Sequence, residues 1–234
     1  MRRPVIVATH QPIFLPWPGL FYKALHADVM VLLDDVQFPR GRGWMTRNRL
    51  KSPQGELWLR VPVHRKGRGK QRIGEVELLE SQDWRRIHLE SIVQHYANAP
   101  YLPDHLPRIR AAYEKERRLL VELNLELIRL LWEGLGLRTK LLTQSELGVT
   151  GGKTQLLADV CRAVGGDRYV SLSPAEKYIE PTLFASAGIG VDFLHFRPPL
   201  YPQLWGWGIY NLSALDLLLN CGPRSLDIIR DAGT

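Results

Sequence analysis

A short β-branched run that stops at three prolines constrains this chain more than any other feature. Residues 4–9, PVIVAT, have the makeup of a buried strand, and HQPIFLPWPG follows directly. Pro12, Pro16 and Pro18 remove backbone donors and fix φ, so the strand gives way to a rigid loop. The spacing then predicts a short helix over 19–27 (GLFYKALHA) and an apolar strand over 28–35 (DVMVLLDD) that ends in two carboxylates. Strand, loop, helix and strand in that order predict a parallel sheet with covered faces.

The same reading places strands at 57–63 (LWLRVPV, with Pro62 favouring an edge or strand end) and at 73–79. Helical periodicity takes over in 83–96 and 106–135, with Asn98, Pro100 and Pro103 separating the two runs and Gly134 and Gly136 ending the second. Strands at 139–143, 168–172 and 191–196 then alternate with helices at 153–164 and 179–187, and a last helix covers 211–220 behind a Ser or Asn cap. The expected fold is α/β: one domain over 1–234 with a mostly parallel open sheet, a Rossmann-like or nucleotidyltransferase-like N-terminal half, and a helical insertion at 83–136.

Charge is unevenly spread. Residues 40–72 hold eleven Lys or Arg, including Arg40, Arg42, Arg47, Arg49 and Lys51, against the single acid Glu56, which makes the segment +10. The chain carries +7, so the remainder is 7 − 10 = −3. Such a region attracts phosphates, nucleic acid or another diffuse anion. HRKGRGKQR at 64–72 reads equally as a solvated loop, whereas Trp44, Asn48 and Leu50 interleaved with charges imply a packed site. Cys161 and Cys221 lie far apart in apolar surroundings, which predicts no disulfide, no zinc site and a reducing cytoplasm. No apolar run reaches the roughly 18 residues of a membrane span, and a secretory signal is not expected.

His10 and Gln11 fall at the carboxyl end of a buried strand, where open α/β sheets bind ligands, and Trp17 supplies a flat wall. LLDDVQFPRGRGWMTRNRLK delivers Asp34, Asp35, Gln37, Arg47, Asn48 and Lys51 from the end of the next strand. Alternation sends neighbouring strand residues to opposite faces, so one Asp is expected to pair with Arg47 while the other serves a site. Later come Lys177 and Tyr178 in SPAEKYIEP, then Tyr201, Gln203, Ser213, Asp216 and Asn220; Asp216 and Asn220 share a helical face and either reach the His10 loop or form a buried network. GGKTQLL at 151–157 imitates a P-loop, but Leu147 stands where the first Gly belongs, which favours a Gly-rich turn capping a helix. His88 and His95 read as solvated or hydrogen-bonded, and no metal-ligand pattern is present.

Taken in order, HQPIFLPWPGLFYKALHAD, VLLDDVQF, WMTRNRLK, LWLRVPV, HYANAPYL, SLSPAEKYI, LYPQLWG and LSALDLLLNCG resemble the WbqC-like family over almost the whole chain. Leu172 and Ser173 replace that pattern's Ser-Gly pair, and Leu219 its Phe. The resemblance implies a role in bacterial O-antigen or other surface-polysaccharide synthesis, with glycine transfer to a sugar as the suggested activity. The strand, QP loop, helix and acid-ended strand are also similar to the opening of nucleotidyltransferases and pantothenate-synthetase-like ligases, in which a His of the first loop meets a nucleotide phosphate.

The leading expectation is thus a cytoplasmic transferase that places an aminoacyl group, glycyl included, or an acyl group on an activated sugar or related metabolite. His10 is the expected base or oxyanion-side donor, Asp35 orients the acceptor, Lys177 joins the catalytic set, and Arg47 and Lys51 hold a phosphate. Gln11, Trp17, Lys23, Asp34, Gln37, Asn48, Tyr178, Gln203 and Asp216 complete the expected binding set, with a nucleotide or nucleotide-sugar as candidate cofactor and tRNA as candidate donor. Two rivals share these residues: an ATP-dependent ligase or nucleotidyltransferase, and a non-enzymatic module binding nucleic acid or an acidic partner through 40–72.

Overall fold

The computed structural model describes residues 2–41, 43–80 and 83–233. Arg42 of the cationic segment lies outside the described residues. Along the chain run β1 (Ile6–His10), α1 (Pro18–Leu25), β2 (Val29–Leu32), β3 (Arg47–Ser52), β4 (Gly55–Arg60), α2 (Trp84–His95), α3 (Leu102–Glu114) and α4 (Leu120–Gly134). Then follow β5 (Lys140–Thr143), α5 (Gln144–Leu147), α6 (Lys153–Ala163), β6 (Arg168–Leu172), α7 (Pro181–Ser186), β7 (Gly190–Leu194), α8 (Ala214–Cys221) and α9 (Ser225–Arg230).

The protein is α/β. Five strands form a parallel sheet in the order β5-β2-β1-β6-β7, and β3 and β4 form a separate antiparallel hairpin. The central strands β1 and β2 are buried on both faces, which is why they read as nearly continuous apolar runs, whereas the edge strands β5 and β7 are only half-buried. Ala8, Met30, Leu32 and Val170 pack with α1, α4 and α8, whereas Val7, Val29, Val31 and Tyr169 pack with α6 and α7. After β1 the sheet grows through β2 to β5, and then resumes on the other flank of β1 with β6 and β7. A crevice opens at the carboxyl ends of strands where growth reverses in this way, here between β1 and β6.

Several expected elements take a different form. Residues 73–79 are not a strand: Ile73–Glu75 is a 3-10 turn, and only isolated bridges such as Val63 to Leu78 follow. The segment from 106 to 135 divides into α3 and α4, because residues 115–119 turn the chain; Pro103 lies in the first turn of α3 and Pro107 inside it. RNRLK is part of strand β3, whose alternate residues Asn48 and Leu50 are buried. Ser213 caps α8 by accepting from the Leu215 amide. Cys161 and Cys221 are free and buried. No helix among the described residues is long and apolar enough to cross a membrane.

Candidate functional site

The proline-rich loop after β1 is held from three directions. Asn48 of β3 donates its Nδ2 to the carbonyls of Phe14 and Leu15, at 3.2 and 2.6 Å. Asn124 of α4 donates to those of Pro12 and Met45, at 2.7 and 2.9 Å, and the Ala214 amide of α8 donates to Pro16 at 2.7 Å. Three prolines and these clamps leave the loop little freedom, so the side chains at its root keep fixed positions.

Those side chains are His10 and Gln11, and both line two cavities. The larger, about 870 Å³, occupies the crevice between β1 and β6. Thr9, Tyr169 and Ser171 form its floor, and Gln37 and Tyr178 stand at its sides. The turn Gly151–Thr154 at the amino end of α6 closes it. The Thr9 and Tyr169 hydroxyls are hydrogen-bonded at 2.9 Å, and burial pushes the Tyr169 phenol up to about 12. The smaller cavity, about 470 Å³, is walled by Trp17, Trp44, Ile13 and Met45, with Asn48 and Asn211 as further polar members. The Asn211 Oδ1 is buried there without a hydrogen-bond partner.

His10 Nδ1 lies 2.7 Å from the Gln11 carbonyl. A carbonyl only accepts, so Nδ1 carries the proton and Nε2 keeps its lone pair. Burial, followed by the nearby charge of Lys23, lowers the imidazole pKa to about 3. Lys23 is itself buried in α1 and donates to the Thr9 carbonyl; burial brings its ammonium down to about 7. It lines neither cavity.

The remaining candidates disperse. Asp34 accepts from the Ser145 amide and hydroxyl at 2.9 and 2.6 Å and thereby anchors the first turn of α5. Asp35 forms a forked ion pair with Arg72 at 2.6 to 2.7 Å, so neither carboxylate pairs with Arg47 as expected. Arg47 stacks on Trp58 at 4.8 Å on the outer face of the hairpin. Lys51 turns inward and donates to the Trp207 carbonyl at 2.7 Å.

Asp216 is wholly buried and accepts from the Tyr96 and Tyr201 hydroxyls, the latter at 2.7 Å. Asn220 donates to the Asp216 carbonyl and accepts from the Leu204 amide. This network, with Lys51 contributing charge, positions α8 and the following contacts with 201–211; Asp216 and Asn220 do not reach the His10 loop. Burial raises the Asp216 carboxyl above its usual range, against the pull of the two phenols. Gln203 clasps both backbone groups of Ile209 at 2.9 Å and closes that loop. Lys177 is exposed, lies over the Tyr178 ring at 4.9 Å and lines neither cavity.

The model of the WbqC-like protein family matches residues 11–228. This chain belongs to the WbqC-like protein family. It is 33% identical to the uncharacterized protein Rv1507c of Mycobacterium tuberculosis over 228 residues, which covers 96% of this chain and 97% of that one. No solved structure matches it. In this WbqC-like chain, sequence reasoning missed Thr9, Ser171, Lys153 and Asn211 as cavity residues, whereas Trp44, read with Asn48 as part of a packed site, lines the smaller cavity beside it. For Lys153 a signal was present: a Gly-Gly pair opening a helix that leads into a parallel strand.

Proposed function

We propose that this WbqC-like protein is a transferase in surface-polysaccharide synthesis that moves an aminoacyl or acyl group, glycyl included, from an activated donor to an amine or hydroxyl of a sugar-like acceptor. One observation carries the reading: His10 and Gln11 form the wall shared by two cavities of different character. A reaction between two substrates needs its reactive atoms brought together at one fixed point, and a shared wall on a clamped loop does that. The larger cavity suits the activated donor, because the amino end of α6 and Lys153 favour an anionic leaving group. The smaller suits the acceptor, because its indole walls present flat apolar surface beside the hydrogen-bond acceptors His10 Nε2 and Asn211 Oδ1.

An imidazole whose pKa is lowered to about 3 carries its one proton on Nδ1 and none on Nε2 at neutral pH, so Nε2 first orients the acceptor by taking a hydrogen bond from its N–H or O–H. The acceptor lone pair attacks the donor carbonyl carbon, and the bond from that carbon to the leaving oxygen breaks. The attacking atom turns strongly acidic as the new bond forms; its proton passes to Nε2 and then to the leaving oxygen. Gln11 offers an amide donor to the carbonyl oxygen as negative charge develops there.

The test supplies glycyl-tRNA or a glycyl adenylate together with a panel of nucleotide-linked amino sugars, and mass spectrometry reads the added acyl group. Transfer is expected, and His10→Gln should lower its rate by about 10² to 10⁴. Transfer at full rate by His10→Gln removes His10 from the mechanism. Pyrophosphate release from ATP with free glycine, and no transfer from either preactivated donor, would replace the reading with that of a ligase.

A further inference from the structure

Large apolar side chains meet solvent along one short segment between β7 and α8. Leu200 is 57% exposed, Trp207 94% and Tyr210 55%. Leu200 rests against Gly208, where a Cβ would come within 2.9 Å of its Cδ2, so Leu200 and Trp207 belong to one protrusion. Single exposed hydrophobic residues are ordinary, but a contiguous group of them marks a surface that meets something other than water.

A well-anchored loop presents these side chains. The clasp of Gln203 on Ile209 closes 203–209 into a turn that carries Trp207. Trp205 Nε1 donates to the His95 carbonyl at 2.9 Å, and the Leu204 amide to Asn220 Oδ1 at 3.3 Å. Buried Lys51 donates to the Trp207 carbonyl at 2.7 Å, and Arg49 to the Tyr210 and Asn211 carbonyls at 3.4 and 3.0 Å. The Trp207 backbone is thereby fixed while its indole stays in water, where it contributes almost no burial to the fold.

The two contacts from β3 tie the protrusion to a cationic face. Alternation puts Arg47, Arg49 and Lys51 of β3 on the same side of the hairpin as their ladder partners Arg60, Trp58 and Glu56, which makes four cations to one carboxylate. Trp44, 48% exposed, stacks on Trp58 at 5.9 Å, and the Arg49 guanidinium lies 6.0 Å from its ring. Arg49 is paired with Glu56, but attraction to an extended charged surface acts through net charge and does not require side chains without partners. We propose that Leu200, Trp207 and Tyr210, with the outer face of the β3–β4 hairpin beside them, dock the protein on an anionic lipid bilayer. Indole and phenol rings favour the boundary between headgroups and acyl chains, and reversible anchoring combines an apolar insert with a basic surface. A polynucleotide instead asks for a groove of stacking platforms, which the aliphatic Leu200 at a protrusion does not supply. The docking face stands whether or not His10 serves acyl transfer.

Co-sedimentation with vesicles tests it, using phosphatidylcholine alone and an equal mixture of phosphatidylcholine and phosphatidylglycerol. The natural protein should bind the mixed vesicles, less strongly as salt is raised, and the neutral vesicles more weakly. Trp207→Ala should weaken binding to the mixed vesicles at least about tenfold, the scale of one large apolar side chain kept in water. Its melting temperature should match that of the natural protein, because the ring it removes is in solvent, and this also verifies folding. Undiminished binding by Trp207→Ala, or no binding of the natural protein to the mixed vesicles, overturns the proposal. So does equal binding to both kinds of vesicle, or a dimer in solution that Trp207→Ala breaks apart, which would give the protrusion to a second copy of the chain.

Discussion

Lys23 donates its ammonium proton to the carbonyl of Thr9, the residue that precedes His10 at the end of β1. A buried cation is thereby fixed behind the strand end, where its charge disfavours protonation of the neighbouring His10 imidazole. Its folded pKa of about 7 lies below the 10.5 it has in the unfolded chain, so the unfolded state binds more protons between those values. Stability must rise with pH across that window and lose the contribution below pH 7, with a slope of at most about 1.4 kcal/mol per unit. Lys23→Met should abolish the slope in denaturant titrations between pH 7 and 10. Relief of the charge should also move the His10 titration upward from about 3, visible in imidazole NMR. A slope that persists in Lys23→Met would contradict this.

Gly19 leaves room for the Trp17 ring, which a Cβ at that position would approach to 2.3 Å. Gly19→Ala therefore displaces an indole wall of the smaller cavity while leaving the larger one untouched. The expected kinetic result is a rise in KM for the acceptor of about tenfold, on the scale of a misplaced binding group, with the donor KM within twofold. Equal effects on both substrates would place Trp17 outside the acceptor site.

Much of this arrangement is legible in the sequence, and the rest is hidden for physical reasons. The prolines after PVIVAT announce a rigid loop at a strand end, which is enough to single out His10, Gln11 and Trp17. Asp34 and Asp35 are misread because alternation tells which face a residue takes and not who waits there: Ser145 lies 111 residues on, and Arg72 37. Lys51 looks like a site residue because it belongs to the cationic run, and Asp216 because it interrupts an apolar helix, yet both are buried and hold α8 and the 201–211 loop to the core. The turn at 151–154 fails as a P-loop on spacing, and only the order of strands brings it to the end of β1. Residues 73–79 have the composition of a strand but lack a continuous partner edge.

The Asp216 network is structural on this account. Asp216→Ala leaves the Tyr96 and Tyr201 hydroxyls without their acceptor and Lys51 without its nearby countercharge, which should cost about 3 to 5 kcal/mol in chemical denaturation. Transfer per folded molecule, measured well below the lowered melting temperature, should stay within a few-fold. Loss of transfer in a fully folded Asp216→Asn protein would instead assign the carboxylate to the chemistry.

Lys153 is the first residue of α6 and has φ of 55°, a left-handed backbone that costs an L-residue roughly 1 to 2 kcal/mol. Lys153→Gly should therefore raise stability by about 1 kcal/mol while weakening the anionic donor about tenfold. A gain in stability with unchanged donor KM would reduce the turn to a helix start.

The central claim is that both substrates meet at His10, and imidazole NMR of the ¹⁵N-histidine-labelled protein tests it most directly. A non-hydrolysable glycyl adenylate and an amino-sugar nucleotide, added separately, should each shift the His10 Nε2 resonance, and together they should move it further, with His88 and His105 unchanged. If either ligand binds without moving His10, the two cavities do not share a reaction centre.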